Sequence, residues 1–325
     1  MSVSKKGLLS AGAAFVALTG LLISTFGETQ TQVIAKPINN QQASTLIAQN
    51  QKTLRVAFPK RGEITDAQNK ANAVATFLSK QVGMPVQAVV ADETAAVEAL
   101  RAGRVDAAFL SSRPALKAEQ LANARLYLAE VRPNYSGGHT YSSIFVVPKN
   151  SSLTSKNSVK ATLEQLRGKK MAFVSPTSGS GFIFPVGELV KQGFVPNRDR
   201  LDNFFGQVSY GGNYSGALQA VLRGQADAAA VSEYALNPPY VTAQEKSQLR
   251  VLHAITGVPA HGVVIDDSVA APMREKLIAA LMQLNQSPNN ELLKDLSNAT
   301  SLVKVDHDNH LAPIQDALKR VGIEP

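Results

Sequence analysis

The feature that most constrains this chain is a unit that occurs twice. AVEALRAGRVDAAFLSS, from Ala96, and ALQAVLRGQADAAAVSE, from Ala217, share a helix-like run, a glycine, an aspartate and an apolar strand-like run. Gly103 and Gly224 stand 121 positions apart (224 − 103), as do Asp106 and Asp227 (227 − 106). Each copy closes a similar frame. In the first, strands are expected at 54–58, 86–90 and 105–110. A helix carrying Val74, Phe77, Leu78 and Val82 ends at Gly83, and a second spans 94–102. In the second, strands are expected at 170–174, 203–209 and 226–231, with helices at about 181–192 and 214–223. Alternating β and α predicts an α/β fold of two lobes, each a mostly parallel sheet flanked by helices, with ligands at the carboxyl ends of the strands. Asp106 and Asp227 read as caps at the strand starts rather than as ligand contacts.

The strand-like run at 141–147 is expected to carry the chain into a second lobe, and 251–255 to carry it back. Lobe 1 is then 53–145 plus 254–325, with helices near 272–285 and 311–321, and lobe 2 is 146–253. Two crossings imply a hinge and a cleft between the lobes. Ahead of this body, Lys5 and Lys6 precede the apolar run 8–26, the order of an export signal. Residues 1–27 read as a signal peptide or, left uncleaved, as an N-terminal anchor. Residues 28–52, rich in Gln, Asn, Thr and Ser, read as a flexible linker.

Composition removes several function classes. Without cysteine there are no disulfides, thiolate metal sites, cysteine nucleophile or lipidated N-terminal cysteine. The formal charge of +8 is diffuse and suits attraction of an anionic solute. Aromatic residues at 6%, no Trp and no basic helix speak against nucleic acid. The five histidines show no metal-ligand spacing, no cofactor motif is present, and no carboxylate pair forms an acid and base.

The most informative segment is Ser175-Pro-Thr-Ser-Gly-Ser-Gly-Phe-Ile-Phe-Pro185, directly after a strand and opening a helix. Hydroxyls of Ser178 and Ser180 and free N–H groups at a helix start form an anion cradle, and Gly179 and Gly181 let the backbone come close. Ordinary helix capping uses the same residues; the strand-end position favours the anion. Pro185 fits best with a cap at Ser180 or Gly181. The loop is neither a P-loop nor a nucleophile elbow.

With these residues in hand, the chain resembles the phosphate/phosphite/phosphonate substrate-binding proteins of ABC transporters, over roughly 53–323. The family's Asp-Pro-x-Ser-Thr-Ser-Gly, with a later proline, resembles 175–181 and Pro185, with Ser175 and Gly179 replacing its aspartate and threonine. Its Tyr-x-Ser resembles Tyr141 to Ser143. Its Gly-rich turn before an Ala-Val helix resembles 212–215 and 224–228, with Tyr214 where the family has a histidine. Leu166 to Lys170 and Val303 to Asp306 also resemble family segments. The resemblance implies the type II periplasmic binding fold. It also implies ligand contacts at Tyr141, Ser143, Ser178, Gly179, Ser180, Gly181 and Tyr214.

Strand-end position adds Ser111, Ser112, Ser232 and Glu233, the last as an ammonium partner or a surface acid. Lys60 and Arg61 read as a solvated loop pair. The expected function is capture of a phosphonate, phosphite or phosphate, without chemistry, for delivery to an ABC transporter permease by a monomer outside the cytoplasm. A membrane-anchored sensory module and a sulfonate binder are the alternatives. A hydrolase using Ser178 or Ser180 lacks a base.

Overall fold

The computed structural model of the protein describes residues 53–60 and 63–325. The expected signal or anchor, the linker and Arg61 lie outside the described residues. In chain order the strands are β1 (Leu54–Pro59), β2 (Val86–Ala91), β3 (Ala107–Leu110), β4 (Ala124–Val131), β5 (Thr140–Pro148), β6 (Lys170–Phe173), β7 (Gln207–Tyr210), β8 (Ala228–Ser232), β9 (Leu249–Pro259), β10 (Gly262–Asp266) and β11 (Ser301–Lys304). The α-helices are α1 (Ile64–Val82), α2 (Glu93–Arg101), α3 (Ser112–Ala122), α4 (Val159–Glu164), α5 (Phe184–Lys191), α6 (Tyr214–Leu222), α7 (Ala243–Ser247), α8 (Ala271–Met282), α9 (Asn290–Ser297) and α10 (His307–Val321). No helix of the described residues is long and apolar enough to cross a membrane.

The strands form two sheets, ordered β11-β4-β10-β3-β1-β2 and β7-β6-β8-β5-β9. Both are mixed rather than mostly parallel. The duplicated frames are parallel, β2-β1-β3 in one sheet and β7-β6-β8 in the other. The strands that carry the chain between sheets lie antiparallel to them: β10 against β3 and β4, and β5 against β8 and β9. A chain that leaves one sheet and later returns reverses direction, and periodicity alone does not reveal that reversal. Both β5 and β9 belong wholly to the second sheet, and the chain passes between sheets at 132–139 and 260–261.

The repeated unit forms the same latch twice. Asp106 accepts a 2.7 Å hydrogen bond from the Arg55 N–H at the start of β1, and its own N–H donates to the Arg55 carbonyl at 2.8 Å. Asp227 does the same with Lys170 at the start of β6, at 2.8 Å in both directions. Gly103 and Gly224, at φ +61° and +69°, turn the chain from helix to strand in a conformation that side chains disfavour. Both aspartates therefore lock a central strand to its neighbour, far from any ligand role.

Three apolar clusters form the core of the described residues. Val74, Leu78 and Val82 of α1 pack on one face of the first sheet, with Leu277 and Leu281 of α8. Leu218 and Val221 of α6 pack on Ile144 and Val146 in the second. The third runs from Ala57 and Leu110 of the first sheet to Phe145, Phe173 and Phe182 of the second, through Leu311, Ile314 and Leu318 of α10. At Gly187 a Cβ would stand 3.5 Å from the Ala317 backbone, so α5 and α10 pack closely there. The C-terminal helix thus joins both sheets.

Candidate functional site

A cavity of about 800 Å³ opens where the strand ends of the two sheets face each other. Ser111 and Ser112 at the start of α3 form one wall, Ser178, Gly179 and Ser180 form another, and Tyr141 and Tyr214 complete it. Of the other residues singled out from sequence, Gly181, Ser143, Ser232 and Glu233 do not line it. Lys60 is exposed and its N–H bonds the Ala91 carbonyl at 2.9 Å.

The serine-glycine loop owes its shape to one cap and one proline. Ser178 Oγ accepts from the Gly181 N–H at 3.1 Å, and the Ile183 N–H reaches back five residues to the Ser178 carbonyl at 2.9 Å. Gly179–Ile183 is therefore a π-helical turn capped at Ser178, ahead of the expected caps. The Phe184 N–H bonds the Gly179 carbonyl, and Pro185 has no N–H to offer the carbonyls of Ser180 and Gly181. Each finds another donor: Ser143 Oγ donates to the Ser180 carbonyl at 2.6 Å, and the Val174 N–H to that of Gly181 at 3.1 Å. Ser143 is wholly buried, so its part is to hold the loop. Gly181 is likewise structural, since a Cβ there would stand 2.4 Å from Val174 and 2.8 Å from Ser178 Oγ.

The Ser180 hydroxyl sits in a chain of phenols. Tyr234 OH donates to Tyr214 OH at 3.2 Å, and Tyr214 OH lies 2.9 Å from Ser180 Oγ. The Tyr141 phenol also hydrogen-bonds the Ser180 side chain. With Tyr234 donating to Tyr214, the Tyr214 proton is free to go to Ser180 Oγ. When the Tyr214 proton lies on its oxygen, Ser180 has its own proton left for the Tyr141 oxygen or for a ligand. Burial, with the neighbouring phenols, pushes Tyr141, Tyr214 and Tyr234 above their ordinary value, so all three stay protonated donors.

On the opposite wall Glu93, in the first turn of α2, reaches Ser111. The Ser111 N–H donates to one carboxylate oxygen at 2.6 Å and its hydroxyl to the other at 2.9 Å. Positive charge comes from Arg113, Lys117 and Arg132, which line the cavity. Burial lowers Arg113 from its ordinary value, and nearby Arg198 lowers it further. Arg132 donates to Glu130 through Nε and Nη2, at 3.0 and 2.6 Å, and lies 5.5 Å from the Tyr135 ring centroid. Burial opposes its charge, but Glu130 more than offsets this and holds Arg132 above its ordinary value. Glu233 points elsewhere, accepting from the Ser136 N–H at 2.8 Å. Ser232 Oγ is buried and has no partner among the described residues.

Glu93, Arg113, Lys117, Arg132 and Tyr234 are among the lining residues that sequence reading missed. Glu93 and Tyr234 follow β2 and β8, where a strand-end rule looks. Arg132 follows β4, which lies outside the repeat and gave no signal.

Among the described residues one cluster of potential metal ligands stands apart from the cavity. Ligand atoms of Glu119, His307 and Asp308 lie within 4.8 Å of one another. Arg125 already supplies the positive charge, 2.8 Å from Asp308 and 3.6 Å from Glu119. His307 Nδ1 accepts from the Leu126 N–H at 2.7 Å, which leaves the proton on Nε2, 3.1 Å from Glu119. These residues form a salt-bridged cluster and do not fit a metal.

The family described as the ABC transporter, phosphonate, periplasmic substrate-binding protein matches residues 61–310, well over half of the chain. The chain belongs to that family. Its members are binding proteins of ABC transporters, not enzymes. The phosphate-import protein PhnD of Mycolicibacterium smegmatis is 29% identical over 171 residues, 50% of this chain and 51% of that protein. The phosphonates-binding periplasmic protein of Escherichia coli is 26% identical over 243 residues, 73% of this chain and 68% of that protein. The matched part of this chain thus spans about half of the first relative. Among solved structures, PhnD1 from Prochlorococcus marinus in complex with methylphosphonate has a TM-score of 0.62 at 20% identity, over 83% of this chain and 98% of that one. That likeness supports the two-sheet binding-protein fold.

Proposed function

We propose that this protein captures a small phosphorus oxyanion, a phosphonate, phosphite or phosphate, in the cavity between its two sheets and delivers it to an ABC transporter permease. The observation that carries this reading is the buried Ser180 hydroxyl, set among the Tyr141 and Tyr214 phenols beside the Ser178 helix start. Hydrogen-bond donors fixed before the ligand arrives suit a charged tetrahedral oxyanion. Family membership supports the transporter partner, and the relatives' names support phosphorus as the central atom.

The passages at 132–139 and 260–261 support a division into two lobes, with the first sheet and α10 in one and the second sheet in the other. These lobes close over the ligand. The protein is exported by its N-terminal segment and acts as a monomer; the ligand contacts are Ser178, Ser180, Tyr214, Tyr141 and the start of α3 at Ser112. Thermal melting against methylphosphonate, phosphite, phosphate, methanesulfonate and amino acids is the test, since a ligand of the native state raises stability with its concentration. A rise with a phosphorus oxyanion is expected. Stabilisation by amino acids or sulfonates with every phosphorus oxyanion silent overturns the assignment.

A further inference from the structure

The two walls of the cavity differ in hydrogen-bonding character. On the second-sheet side the Ser178 hydroxyl accepts from the Gly181 N–H, which leaves its proton for a ligand, and the Ser180 and Tyr214 hydroxyls, sharing one bond, hold a second proton between them. Facing them across the cavity is Glu93, whose carboxylate accepts and never donates. Its two bonds to Ser111, at 2.6 and 2.9 Å, hold it rigidly while each oxygen keeps an unfilled acceptor site. Those bonds come from neutral groups, and no ion pair among the described residues compensates its charge. A ligand oxygen without a proton meets Glu93 as acceptor against acceptor and negative against negative. An oxygen that still carries a proton donates to it.

We propose that Glu93 is a specificity-determining residue that requires the bound anion to retain one proton. Phosphorus oxyanions meet that requirement as their P–OH monoanions. Sulfonates and sulfate, fully ionised near neutral pH, do not. The inference rests on the reading of this cavity as a phosphorus-oxyanion site and explains how it excludes sulfur analogues of the same shape.

Methylphosphonate and methanesulfonate isolate the effect. Below the second ionisation of methylphosphonate both are tetrahedral monoanions with one methyl group and three oxygens, and apart from the central atom they differ in a single proton. Titration calorimetry on the wild-type protein is expected to favour methylphosphonate by about 10- to 100-fold, the range for one hydrogen bond to a charged group gained rather than opposed. In Glu93→Gln the amide oxygen can keep the Ser111 N–H while its NH₂ donates into the cavity. Methanesulfonate should then bind about tenfold or more tighter, and the preference should collapse. An unchanged preference in E93Q, with a normal melting curve, overturns the inference and leaves Glu93 a cap of α3. Should E93Q melt early, the wild-type comparison decides, and equal binding of the two anions overturns it. If no phosphorus oxyanion binds the wild-type protein, the functional reading itself has failed, and the inference falls with it.

Discussion

Ser143 Oγ donates a 2.6 Å hydrogen bond to the carbonyl of Ser180, a group left without a helix donor because residue 185 is proline. Strand β5 and the cavity loop are thereby tied at the residue whose side chain the phenols orient. The proline that looked like a helix-start preference in the sequence has a second effect. It frees a carbonyl for cross-linking to the sheet.

Ser143→Ala should cost about 1–3 kcal/mol of stability, because it strands a buried carbonyl. It should also loosen ligand binding by releasing the loop. Ser232, across the strand pair from Ser143, is equally buried but its hydroxyl has no partner among the described residues. Ser232→Ala should therefore be neutral or slightly stabilising. Melting curves of both variants check the contrast, and equal losses would contradict it.

Gly179 offers a gain. A Cβ at this position meets no atom within 4 Å, although the residue lines the cavity. The threonine that resembling proteins carry here should fit without strain and add a donor. Gly179→Thr is expected to tighten methylphosphonate binding by up to about tenfold. Weaker binding by calorimetry would mean that the open space is needed for the ligand.

Much of this architecture was legible in the sequence because it is written twice. The frames around Gly103 and Gly224 gave β1 to β3, β6, β8 and their helices nearly residue by residue. Expected strand 203–209 was displaced, since 198–203 forms a 3-10 turn around Leu201 and pairing begins at Gln207. Sheet direction stayed hidden, because an apolar strand reads the same whichever way it runs. At the site, the serine-glycine loop was legible from capping chemistry. The division of labour within it was not. Whether Ser143, Gly181 or Ser180 faces a ligand depends on which carbonyls Pro185 releases, and that is a tertiary fact. Glu93 and Arg132 come from separate strand ends and share no motif.

The two latches should differ in strength. Asp106 is half-buried and also lies 3.5 Å from the Arg55 side chain, whereas Asp227 is exposed. Replacing Asp106 by Ala should cost about 1–2 kcal/mol, and the same change at Asp227 less, because water can take over the Lys170 N–H. Urea unfolding of the two variants measures the difference, and the reverse order would contradict the burial argument.

Alkaline pH offers a check on the buried phenols. Tyr141, Tyr214 and Tyr234 have native values raised above the ordinary 10.0, so the folded protein holds their protons more tightly than the unfolded chain. Their contribution to stability is complete below pH 10 and is lost as pH rises above it. Ultraviolet titration should show these phenols ionising together with unfolding. Ionisation near pH 10 in the folded protein would show that they are not shielded.

The phenol chain makes the last prediction. If Tyr234 acts by fixing the Tyr214 proton on Ser180, then Tyr234→Phe keeps the ring and its packing but lets the Tyr214–Ser180 bond run in either direction. Part of the time Ser180 then spends its proton on Tyr214, and affinity for methylphosphonate should fall only a few-fold. Ser180→Ala removes the donor itself and should weaken binding about 10- to 150-fold, corresponding to about 1.5–3 kcal/mol for a hydrogen bond to a charged group. Backbone N–H groups of the loop remain, so binding is reduced rather than abolished. In the Ser180→Ala background there is no proton left to orient, and Tyr234→Phe should have no further effect. Calorimetry on the two single variants and the double variant gives the coupling directly. Should Tyr234→Phe weaken binding equally with and without Ser180, Tyr234 touches the ligand itself and the chain does not orient the serine.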